Sequence, residues 1–129
     1  MNGASEHVEQ KALFGWAELA KGRWPELGLM YAIPNGGHRH KAVAARMKAE
    51  GVKRGVPDIC LPVPRGDWHG LYVEMKTSTG SASKEQKAWL RSLQGQGYRV
   101  AICRGWEPAR AFIEDYLNTG AAAGRRQVG

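Results

Sequence analysis

Two strand-like runs, GVPDICLPVP at 55–64 and LYVEMK at 71–76, are separated only by RGDWHG, and this spacing constrains the fold more than any other feature. Adjacent strands joined by so short a link pair as an antiparallel hairpin. The prolines of the first run make it an edge or bent strand rather than a regular central one. In the second run, alternation puts Leu71, Val73 and Met75 on one face and Tyr72, Glu74 and Lys76 on the other. With the turn near residues 65–69, Asp58 falls directly opposite Glu74 or one diagonal step away. Directly paired Cβ atoms lie roughly 4.5–5.5 Å apart and diagonal ones roughly 7–8 Å.

Two carboxylates at that range repel unless a small cation lies between them. Mg²⁺ suits such a pair, because it takes a few carboxylate oxygens at roughly 2.0–2.1 Å and keeps several waters. Lys76, on the same face as Glu74, then reaches the edge of the ion, where it orients a water or offsets charge developing on a phosphate. The backbone carbonyls of Met75 and Ile59 are candidates to complete the shell. The plain alternative is a solvated outer face on which Glu74 and Lys76 form a weak ion pair.

Around the hairpin, helical and extended patterns alternate. Ser5 to about Lys21 reads as a helix capped by Ser5, with Val8, Ala12, Trp16 and Leu19 at helical spacing. LGLMYAI at 27–33 reads as a strand ended by PNGG, and a basic helix from about Arg39 to Glu50 follows, with Gly51 as its C-cap. Ser83 and Gln86 match a capping box opening a helix that ends near Gly95. A strand over 98–103 and a helix over 107–117 complete the pattern. The expected fold is a mixed α/β domain over residues 1–117, its sheet flanked by helices, with 118–129 a flexible tail.

Nineteen Lys and Arg against twelve Asp and Glu give a formal charge of +7, which suits a polyanion and makes nucleic acid the first candidate partner. No stretch approaches a membrane span or a signal-peptide core. Cys60 and Cys103 lie singly in apolar runs, which fits a reduced, cytoplasmic setting. The paired His38 and His40 lack a third zinc ligand at a workable spacing. The glycines of PNGG do not form a Walker loop.

Pro57-Asp58 followed by Glu74-x-Lys76 is the signature of the PD-(D/E)xK nucleases. The wider string SEHVEQ (5–10), IPNGGHR (33–39), EGVKRGVPD (50–58), GLYVEMK (70–76), SKEQKAWL (83–90) and GYRVAICRGW (97–106) resembles the VRR-NUC branch, including its stand-alone phage and bacterial versions. The resemblance implies a restriction-endonuclease-like core and a Mg²⁺- or Mn²⁺-dependent DNA endonuclease leaving 5′-phosphate and 3′-hydroxyl ends. Stand-alone members are associated with branched DNA such as Holliday junctions, and symmetric cleavage of a junction would call for a homodimer. The setting implied is the cytoplasm of a bacterial or phage-infected cell.

Carried onto this sequence, the motif makes Asp58, Glu74 and the Met75 carbonyl metal ligands and Lys76 the group that handles the water. Members also place a first-helix carboxylate at the site; Glu6 and Glu9 both qualify, and Glu6 is preferred because it matches the leading Glu and shares a helical face with Gln10. Glu9 falls in the apolar arc with Leu13 and Trp16, where it would need a partner. Gln86 matches the family's helix glutamine, although a capping box explains it as well. Asn35, Gly36, Arg39, Lys41, Arg46, Lys53 and Arg54 are the candidate DNA contacts.

Overall fold

The computed structural model describes residues 4–34 and 40–120. In chain order the elements are α1 (Ala4–Ala20), β1 (Tyr31–Ala32), α2 (Lys41–Ala49), β2 (Ile59–Leu61), β3 (Leu71–Lys76), α3 (Lys84–Gly95), β4 (Arg99–Arg104) and α4 (Trp106–Asn118). The strands form one mixed sheet in the order β1-β2-β3-β4. β2 and β3 are antiparallel, as the short link requires. β3 and β4 are parallel and joined through α3, the crossover that a parallel pair needs.

Register divides the sheet into two faces. Ile59, Leu61, Leu71, Val73 and Met75 point to one side, where they pack with Leu13 and Ala17 of α1 and Ala109, Ile113 and Tyr116 of α4 into a single apolar core. Cys60, Tyr72 and Glu74 point to the other, on which α3 lies. The core layer is locked by the Tyr116 hydroxyl, which donates to the buried Val63 carbonyl at 2.6 Å.

Several expectations are corrected. β2 is paired on both sides and is not an edge strand: Pro57, Pro62 and Pro64 flank its three residues, so no proline N–H is missing from within it. The run at 27–33 is divided, because Pro25–Leu29 close a 3₁₀ turn and leave two residues for the strand. In α1 the inward arc is Leu13 and Ala17, whereas Val8 and Leu19 are 62% and 87% exposed. A three-to-four-residue spacing selects a helix but leaves open which of two overlapping stripes faces inward. α1 also begins at Ala4, which puts Ser5 inside the helix rather than at its cap. Of the expected tail, the structure describes residues up to Gly120, whose carbonyl accepts from the Gly66 N–H; residues 121–129 lie outside the described residues.

Candidate active site

The C-terminal half of β3 and the entry to β2 build the site. β2 and β3 pair Ile59 with Val73, so one further step along the ladder sets Asp58 opposite Glu74, the direct placement rather than the diagonal one. The two carboxyl groups are near enough for the charge of Asp58 to act on Glu74. Asp58 Oδ2 accepts from the Met75 N–H at 2.7 Å, which turns the aspartate along the sheet edge toward β3.

Pro57 explains why Asp58 is free to do this. Asp58 turns its own carbonyl toward β1, where it accepts from the Ile33 N–H, so residues 57 and 59 present their backbone groups to β3. In a regular ladder residue 57 would donate to the Met75 carbonyl and accept from its N–H. Proline has no N–H, and the Asp58 side chain has taken the Met75 N–H. Residue 57 therefore offers the Met75 carbonyl no ladder donor.

The Glu74 face is not solvated: Glu74 is 1% exposed. Its Oε2 receives the Gln86 amide at 2.9 Å and stands 3.4 Å from the Lys76 ammonium. Its Oε1 is buried with no hydrogen-bond partner. Burial, and then the charge of Asp58, push the Glu74 carboxyl up to about 8. Burial also raises Asp58, against the pull of the Met75 N–H. Such a pair demands a proton or a cation between its members, and the orphaned oxygen supplies a further donor. The residues present thus fit a hard divalent ion.

Gln86 reconciles both readings of it. Its Oε1 accepts from the Ser83 N–H at 2.8 Å in a complete capping box, so its amide NH₂ must point the other way, onto Glu74. Arg104, opposite Lys76 on β4, binds the Thr77 carbonyl at 2.9 Å and also that of Gly80, tying down the link from β3 to α3.

On α1, Glu9 finds the partner that its apolar arc demanded. Its Oε1 accepts from the Trp106 N–H at 2.8 Å and so caps α4, whose own N-cap, Gly105, has no side chain to offer. Neither it nor Glu6 completes a carboxylate cluster: among the described residues no third Asp, Glu, His or Cys joins the pair in a metal-binding group. The α1 side chain that acts electrostatically on Asp58 is His7. Asn35, Gly36 and Arg39 lie outside the described residues, whereas Lys41, Arg46, Lys53 and Arg54 are all exposed. The roles of Pro57 and Glu9 were missed from sequence; the missing proline N–H was the available signal for the first, but nothing local announced a cap lent across 97 residues.

The VRR-NUC domain family model matches residues 10–107, from α1 through both carboxylates to the start of α4. The chain belongs to the VRR-NUC domain family. A solved structure of a VRR-NUC domain protein superposes with a TM-score of 0.82 at 28% identity, over 99% of this chain and 100% of that one. No curated protein matches the chain. VRR-NUC membership makes this a nuclease-type domain with DNA as the implied substrate class. Among the described residues no helix is long and apolar enough to cross a membrane.

Proposed function

We propose that the protein is a Mg²⁺- or Mn²⁺-dependent DNA endonuclease, structure-selective for branched DNA such as Holliday junctions. The observation that carries the metal is Glu74 Oε1, a buried acceptor without a partner beside a second carboxylate. Asp58, Glu74 and the Met75 carbonyl are the donor set. A divalent ion held there would polarise the scissile phosphate and lower the pKa of an attacking water.

The chain's own groups supply the rest. Lys76, close against Glu74, donates to the attacking water or to a non-bridging phosphate oxygen and offsets the charge gathering there. The water oxygen bonds to phosphorus as the bond to the 3′-oxygen breaks; the water's proton is lost and the 3′-oxygen gains one. Products are a 5′-phosphate and a 3′-hydroxyl. Gln86 keeps Glu74 Oε2 occupied, which would leave Oε1 free to hold the ion. Glu6, in the first turn of α1, would serve as a supporting carboxylate from outside the Asp58–Glu74 pair. Lys41, Arg46, Lys53 and Arg54, with Asn35, Gly36 and Arg39, contact phosphate. A homodimer would present two such centres to a junction.

The test is a panel of fluorescent linear, nicked, flapped and four-way DNAs incubated with Mg²⁺, Mn²⁺ or EDTA. Cleavage that requires the ion and favours the four-way substrate is expected. Equal cutting of all four DNAs would remove the structure selectivity, and cutting in EDTA would remove the metal.

A further inference from the structure

α2 differs from the other helices in having no buried residue; only Val43 and Met47 are half-covered, and every other side chain on it is exposed. A nine-residue helix is marginal in water by itself. Its stability must therefore come from something it rests on. Charge indicates what that is: between residues 40 and 57 five cations face a single carboxylate, Glu50, so this segment holds +4 of the chain's +7.

The cations are also arranged. At 100° per residue Lys41 and Lys48 fall on the side opposite Val43 and Met47, roughly 10.5 Å apart along the axis at 1.5 Å per residue. Between them on that side are Ala44 and Ala45, both exposed, whose short side chains let a helix backbone approach a flat or grooved surface closely.

The root of the segment is fixed beside the active centre. Gly55 has a φ of +91°, and a Cβ there would come within 2.9 Å of the Glu85 backbone. The returning chain is thus pressed against the first turn of α3, one residue from the Gln86 that holds Glu74.

We propose that α2 is a DNA-docking arm, which lays its Lys41–Lys48 face along the phosphates of a duplex arm adjoining the scissile bond and is stabilised as a helix by doing so. This rests on the nuclease reading. A second copy of the chain is the wrong occupant, because a two-fold interface here would set the same positive face against itself.

The experiment measures binding of a fluorescein-labelled duplex in EDTA as a function of salt, beside Mn²⁺-dependent nicking of a supercoiled plasmid. The double variant Lys41→Ala/Lys48→Ala should lower the slope of log K against log[salt] by about 1.8, two lost phosphate contacts at about 0.9 each. Ala45→Leu should weaken binding about tenfold at an unchanged slope, because it blocks approach without removing charge. All three positions are exposed, so thermal melting should not move. Wild-type slope and affinity in both variants would overturn the arm while nicking persisted. A change in sedimentation of the double variant without a change in DNA binding would assign α2 to self-association and likewise overturn it. Arm-dependent binding without any Mn²⁺-dependent nicking would leave the arm standing and remove the nuclease reading instead.

Discussion

Replacing Glu74 with glutamine should make the metal-free protein more stable, by an amount that grows with pH. In the folded chain the Glu74 carboxyl is pushed from 4.5 up to about 8, by burial first and by the charge of Asp58 second. Below pH 4.5 folded and unfolded chains both hold the proton, and the group leaves stability untouched. Between 4.5 and 8 the unfolded chain has released it while the folded chain retains it. Folding then takes up a proton, and stability falls by about 1.4 kcal/mol for each pH unit. The full excursion is on the order of 5 kcal/mol, a large part of the stability of a domain this size. Asp58, also raised, adds in the same direction. The Glu74→Gln substitution would keep the shape and remove the titration. Urea unfolding in EDTA, followed by tryptophan fluorescence between about pH 5 and pH 8, should therefore give curves that diverge, with the variant the more stable at the alkaline end. Added Mn²⁺ should restore the wild type at high pH and leave the variant nearly unmoved. Parallel pH profiles, or a variant less stable than wild type at the alkaline end, would refute the account of Glu74 as a buried, proton-hungry ligand.

Asp58→Ala and Lys76→Ala should each abolish cleavage while leaving DNA affinity within a few-fold in gel shifts; normal cutting by Lys76→Ala would end its assigned role. Glu9→Ala should cost about 1–2 kcal/mol in urea unfolding through the uncapped Trp106 N–H, and Glu9→Gln should recover much of it. Gly55→Ala should cost about 1–3 kcal/mol, because the added methyl meets the Glu85 backbone and the residue sits at φ +91°; circular dichroism melting would detect it.

The hairpin that carries the two carboxylates was legible because both of its determinants are local. Period-two alternation put Glu74 and Lys76 on one face, and a short link fixed the register that sets Asp58 opposite Glu74. The capping box of α3 was readable for the same reason. What escaped was long-range. That the polar face of β3 is covered depends on where α3 returns, which no residue of LYVEMK records. Leu13 rather than Val8 faces inward because α4 lies on that side, and Glu9 is held by a helix that begins at residue 106. The split of LGLMYAI into a 3₁₀ turn and a two-residue strand reflects Pro25 opening the turn, against the apolar content that argued for one extended run.

Pro57 has a consequence for altering this protein. Any other amino acid there would bring back an amide hydrogen, and the sheet could then zip one rung further, claiming the Met75 oxygen for itself. The imino acid works as a stop at the last rung, and under the proposed metal reading it would free an ordinary peptide oxygen to serve as a hard donor at no expense in side chains. Swapping that one ring for alanine is thus a way to weaken ion capture while leaving both acids in place.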